Sequence, residues 1–307
     1  AIRRQRQMCI RDRIASLVLI RMNGGTAMMR ILGIVGVQIC ICVPIIVFQF
    51  CKGKEFFSKE YWGYALRIGI PIVPHYLSGI ILNQGDRIMI DKMVGKTEVA
   101  LYGLAYSIGM LVQLFISGMN SALTPWMYSK IKKGDIRSMR KVLQLLSIVV
   151  VGIAVALMLI SPELVLIFGS PKYREAVYVI PPVAASVFFI FIYNILSMPQ
   201  FYYEKTQFLM AASMAAAGAN VVLNFIFIRL FGYIAAGYTT LACYMLYSVG
   251  HYIVSKRILV NEGIQENLMN PGFLVACSVF LIGASIICNL IFPYRILRYA
   301  ILLASAG

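Results

Sequence analysis

Between Ile68 and Ile90 the chain reads IGIPIVPHYLSGIILNQGDRIMI. The run is apolar, with Pro71 and Pro74 inside it, and then carries His75, Ser78, Asn83, Gln84, Asp86 and Arg87. On a helix, His75, Ser78, Gly79, Leu82 and Asp86 fall on one stripe. His75 and Asp86 then stand roughly 16 Å apart along the axis, and Arg87 lies about 100° around. Ionisable groups at membrane depth are costly and mark pathways or partner contacts. Arg87 presents a fork suited to phosphate oxygens. Asp86 or Asp91 could carry a coupling proton or sodium ion. The alternative is a solvated helix end made of Asp86, Arg87, Asp91 and Lys92. The two prolines suit a kinked spanning helix whose freed carbonyls are satisfied by neighbours.

Weaker candidates follow downstream. Asn220 and Asn224 share a helical face and either line a pathway or bond across helices, the second being the commoner role. Tyr244, Tyr247 and His251 lie at i, i+3 and i+7, a stripe that either stacks on sugar rings or packs near the interface. The small residues of AASMAAAGAN, 211–220, allow close helix approach. No nucleophile elbow, zincin motif, phosphate-binding loop or dinucleotide fingerprint occurs, so the chain is read as a non-enzyme.

These residues must be held by membrane-spanning helices. Of the 307 residues, 60% are hydrophobic and 13% charged, against roughly a quarter charged in soluble domains. The mean hydropathy is +0.81. The net charge of +16 is spread over loops, as the positive-inside bias requires, and does not indicate nucleic acid. The seven cysteines form no C-x-x-C pair and read as small hydrophobes; no metal or cofactor is expected beyond a coupling Na+ or H+. The segment AIRRQRQMCIRDR, 1–13, resembles a translated sequencing adapter and is set aside as non-native. Without it the net charge falls by 4, to +12.

A spanning helix needs about 20 apolar residues. Runs of that kind lie at 29–50, 62–82, 99–122, 142–160, 176–197, 207–228, 234–254 and 272–292. Partial runs stand at Ile14–Ile20 and Arg298–Gly307, so the chain reads as cut at both ends. The fold class is all-α and polytopic, with about eight complete spans. The loop at 126–141 carries Lys130, Lys132, Lys133, Arg137, Arg140 and Lys141, which marks it as cytoplasmic. By alternation, 51–60, 198–206 and 255–271 are cytoplasmic as well. The longest outside loop is expected at 161–175. Trp62 and Trp126 read as interfacial anchors at cytoplasmic helix ends.

IGIPIVPHYLSGIILNQGDRIMIDKMVG, TEVALYGLAYSIGMLVQLFISGMNSALTPWMYSKI, PPVAASVFFIFIYNILSMPQFYYEKT and FIRLFGYIAAGYTTLACYMLYSVGHYI together resemble the Wzx-type polysaccharide flippases of the MATE/MOP superfamily, over about residues 29–260. The resemblance implies two six-helix lobes around a central cavity. By that template 14–50 ends the first lobe, 51–60 links, 61–257 is the whole second lobe, 258–271 links, and 272–307 is a truncated extra helix pair. Alternating access needs both lobes, so the chain is expected to be part of a transporter. The implied substrate is an undecaprenyl-diphosphate-linked oligosaccharide, moved across the bacterial cytoplasmic membrane. Implied partners are the bilayer and other polysaccharide-assembly proteins. Arg87 would meet the diphosphate; His75, Asn83, Gln84, Tyr244 and Tyr247 would meet sugars.

Three rival readings differ in class. A MATE-type cation or drug antiporter should carry more carboxylates in its membrane core. A polysaccharide polymerase should carry a larger extramembrane loop. A structural membrane subunit gives no account of the charged end of the Ile68–Ile90 helix.

Overall fold

The computed structural model describes residues 27–53 and 57–306. The expectations for residues 1–13, for the partial run at Ile14–Ile20 and for Lys54 lie outside them. The described residues form helices and turns, with no strand. The chain divides into two compact units, 1–66 and 67–307.

The first unit holds α1 (Ala27–Gly53) and the start of α2 (Lys59–Met93). α1 is apolar on every side and exposed along almost its whole length. A helix of that kind belongs in lipid or in a larger core. The rings of Phe57 and Trp62 pack 6.0 Å apart at the entrance to α2.

The second unit takes up the rest of α2 and continues with α3 (Lys96–Gly109), α4 (Leu111–Lys132) and α5 (Ile136–Phe168). A 3-10 helix (Pro171–Val179) leads into α6 (Ile180–Tyr202). Then come α7 (Thr206–Phe231), α8 (Ala235–Asn261), α9 (Pro271–Ile291) and α10 (Arg295–Ala306).

α6 is the axis of this unit. Every residue from Ile180 to Ile192 is buried, and α3, α4, α5, α8 and α9 pack around it. Pro181 and Pro182 open the helix, where a missing N–H costs nothing. The chain carries no charge from Val177 to Tyr203. Ala184, Ala185 and Ser186 keep one stretch of α6 thin, as close packing in a membrane requires. Gly109, at the end of α3, presses on it: a β-carbon there would lie 2.6 Å from Val183 Cγ1.

By length and composition, seven described stretches can cross a membrane: 31–53, 59–93, 96–132, 136–168, 171–202, 206–231 and 271–291. They coincide with seven of the eight expected runs. The eighth, at 234–254, is a helix, α8, but falls short on apolarity. Its buried face carries Thr239, Thr240, Tyr244, Tyr247, Ser248, His251 and Ser255. The helices also run past the apolar runs. The stretch expected as an outside loop, 161–175, is largely helical, because α5 continues to Phe168 and the 3-10 helix starts at Pro171. Hydropathy marks only the lipid-soluble middle of a helix; its polar ends keep their hydrogen bonds beyond the hydrocarbon. Likewise α4 carries Trp126 inside it and ends at Lys132.

Two tight turns are built from local chemistry. Asp135 caps α5 by accepting from the Ser138 N–H at 3.2 Å, and Lys130 Nζ lies 2.5 Å from its other oxygen. Asn270 caps α9 by accepting from the Gly272 N–H at 2.9 Å.

Candidate functional site

Pro71 and Pro74 are absorbed within a continuous α2. Ser78 donates to the Pro74 carbonyl at 2.7 Å, and Asn83 donates to the Gly79 carbonyl at 2.7 Å. The stripe that begins near His75 turns inward: Ser78, Leu82, Asp86 and Ile90 are buried.

Asp86 is fully buried and draws donors from three other helices. Tyr102 of α3 donates its hydroxyl to Oδ2 at 2.5 Å. Thr240 of α8 donates to the same oxygen at 2.7 Å. Asn224 of α7 donates through Nδ2 to Oδ1 at 2.5 Å. The Asn224 amide also reaches Asn220 Oδ1 at 3.1 Å, and its own oxygen accepts from Thr239. No cation of the described residues pairs with Asp86. The Asp86 carboxyl group is thus held by neutral donors from three helices.

Arg87 follows in sequence but leaves the cluster. It is half-buried, donates to Gln84 Oε1 at 2.8 Å and lies over the Tyr106 ring at 5.1 Å. No acid of the described residues pairs with it, and its Nε is buried without a partner. Asn83 Oδ1 accepts from Tyr106 at 2.8 Å and from Tyr244 at 3.3 Å. Asp91 is exposed near the end of α2, five residues beyond Asp86 and apart from its partners.

The other polar knot lies one apolar interval away on α2. Tyr247 of α8 bonds His75 Nδ1 at 3.1 Å. The Tyr193 ring lies 4.5 Å from that of Tyr247 and 5.9 Å from that of His251. His251 in turn meets Gln200 of α6, Nδ1 to Nε2, at 2.8 Å. The structure thus joins His75 to Tyr247, Asn83 to Tyr244, and Asn220 and Asn224 to Asp86. It leaves Gln84, Arg87 and Asp91 at the rim.

Sequence reasoning missed Tyr102, Tyr106, Thr239, Thr240, Tyr193 and Gln200. A signal was present for four of them. Tyr102 and Tyr106 stand one turn apart within a spanning run, and Thr239–Thr240 is a polar pair within another. A helix in lipid has little use for either.

Residues 13–132 match the model of the polysaccharide biosynthesis protein family. The match bears out the resemblance to polysaccharide flippases drawn from the residues, and it takes in α2, α3 and α4, which carry Asp86, Arg87, Tyr102 and Tyr106. Lsg locus protein 1 of Haemophilus influenzae is 28% identical over 172 residues, covering 52% of this chain and 41% of that protein. An uncharacterized membrane protein of the same species is 29% identical over 167 residues, covering 51% and 40%. The chain therefore spans less than half the length of these relatives. No solved structure matches it. With its apolar helices, the chain is a multi-pass membrane protein, and the inner membrane is the usual place of this family.

Proposed function

We propose that this chain is part of a transporter that moves lipid-linked oligosaccharide precursors of surface polysaccharide across the bacterial cytoplasmic membrane. The family match supports polysaccharide-precursor transport; the lipid diphosphate and the ion coupling are the finer part of the reading. One observation carries it. Two adjacent residues of one spanning helix, Asp86 and Arg87, are sorted to opposite duties.

Arg87 keeps a guanidinium with no acid partner among the described residues, steadied by Gln84 and the Tyr106 ring. A cation in that position favours an anionic substrate group, and its planar fork suits phosphate oxygens. Asp86 provides the complementary site. Its carboxylate, two asparagine amides, two threonine hydroxyls and a tyrosine hydroxyl are hard oxygen donors, which suit Na+ or H+. Loading that site would change the hydrogen bonds that tie α2 to α3, α7 and α8, and so couple ion binding to the position of the helix that carries Arg87. On this reading the helices α2 to α8 act as one of the two lobes that alternating access needs.

The test is complementation of a flippase-null bacterial strain with the longest reading frame that contains this chain. Restored surface polysaccharide is the expected result. Arg87→Ala should abolish it while membrane insertion is unchanged. Normal polysaccharide in that variant overturns the role of Arg87. Failure of the intact frame to restore any polymer overturns the transport reading.

A further inference from the structure

Gln200, His251 and Ser255 are 0–1% exposed, and each holds a polar atom with no partner among the described residues: Gln200 Oε1, His251 Nε2 and Ser255 Oγ. Buried polar atoms are nearly always satisfied, by protein or by ordered water. These three belong to one place. Gln200 and His251 touch through Nε2 and Nδ1 at 2.8 Å, and Ser255 follows His251 by one turn on the same face of α8. Ser147, Ser213 and Ser248, also buried on helices, donate to a carbonyl of their own helix, whereas Ser255 and, elsewhere, Ser285 have none among the described residues. The Ser255 hydroxyl remains free to turn.

The chemistry of the trio is specific. An amide nitrogen only donates, so His251 Nδ1 accepts, and the proton of the neutral imidazole sits on Nε2. The place therefore offers one donor (His251 Nε2–H), one acceptor (Gln200 Oε1) and one group that does both (Ser255 Oγ). A metal cation would face an N–H. An anion would meet no positive charge. We propose that Gln200, His251 and Ser255 hold an ordered water molecule inside the bundle, at the end of α8 remote from Asp86. Such a water accepts from His251, donates to Gln200 and exchanges either kind of bond with Ser255, the two to four bonds a buried water needs. Tyr247, whose ring lies 4.5 Å from that of His251 and whose hydroxyl bonds His75, separates this water from α2. The site is distinct from the Asp86 cluster: Thr240 and His251 are eleven residues apart on α8, roughly 16 Å along the axis.

The chain contains two histidines, so selective labelling gives two imidazoles. The experiment is solid-state NMR of the untagged full chain, labelled with 15N-histidine, in phosphatidylethanolamine–phosphatidylglycerol bilayers. The expected spectrum shows His251 as the neutral Nε2–H tautomer, with water-edited signal at that N–H. In Ser255→Val the water signal should be lost while the tautomer remains. In Gln200→Leu the tautomer preference should be lost. Unchanged His75 shifts certify that each variant is folded. An Nε2–H without water signal in the unaltered chain overturns the proposal, as does an Nδ1–H tautomer. The readouts on the unaltered chain need no variant to fold and none depends on transport, so they stand apart from the complementation result.

Discussion

The Tyr102 hydroxyl donates to Asp86 Oδ2 at 2.5 Å, from a helix that begins only after α2 has ended. Thr240 of α8 donates to the same oxygen from 154 residues beyond Asp86 in the chain. Tyr102→Phe should lower stability in mixed micelles by about 1–2 kcal/mol, the range for one side-chain hydrogen bond lost between membrane helices. The double variant with Thr240→Val should cost a different amount from the sum, because both donors share one oxygen. Strict additivity in steady-state unfolding would show that the two bonds act independently.

Asp86→Asn should separate folding from coupling. The amide keeps a side chain of the same shape but presents an N–H where an oxygen now accepts. We expect insertion to persist with a lowered thermal midpoint, since one donor to the old carboxyl loses its acceptor, and loss of polysaccharide export in the complementation strain. Full export in Asp86→Asn would remove this carboxylate from the coupling scheme.

Gly109 tests the close packing of α3 on α6. An added β-carbon meets the Val183 side chain at 2.6 Å and 2.9 Å, and valine is stiff about its first torsion. Gly109→Ala should cost about 1–3 kcal/mol through overpacking. Adding Val183→Ala should recover part of that loss, measured by thermal unfolding of the detergent-solubilised protein.

Arg298 anchors α10 to α5. It donates two bonds of 2.9 Å to the Glu163 carboxylate and one of 2.8 Å to the Leu159 carbonyl. Arg298→Met should release α10. The cost should fall below the about 3–5 kcal/mol of a fully buried broken pair, because Glu163 is partly exposed and keeps the Tyr299 hydroxyl. Increased labelling of a cysteine introduced on α10 would report the release; unchanged labelling would show that apolar contacts alone hold the helix.

The cap at Asp135 carries a small pH dependence of known sign. The Lys130 ammonium, and after it the Ser138 N–H, hold this carboxyl below the usual carboxylate range. A depressed value means that the cap contributes above the unfolded value of about 3.9 and loses its contribution as pH falls through the folded one. Hydrogen exchange at the Ser138 amide should therefore speed up in acid relative to its neighbours. Asp135→Asn, which can still accept as a cap but cannot titrate, should remove that dependence.

Much of this protein is legible from its residues because the governing physics is local. Apolar runs long enough to cross hydrocarbon must form helices, since lipid offers no partner for a free backbone group. That alone places seven of the spans and the all-α class. The helical period puts His75, Ser78 and Asp86 on one face without any knowledge of neighbours. What faces that stripe is another matter. Asp86 finds its partners 16, 138 and 154 residues away, and no local pattern links such distances. Hydropathy also cannot rank helices that are apolar on every side: α1 and α6 look alike as sequence, yet α1 is exposed and α6 is the buried axis. α8, read as a span from the run at 234–254, carries a polar face as well. Only the tertiary structure decided that this wet face points inward, because a hydroxyl or imidazole at membrane depth is tolerable once another helix supplies its hydrogen bond.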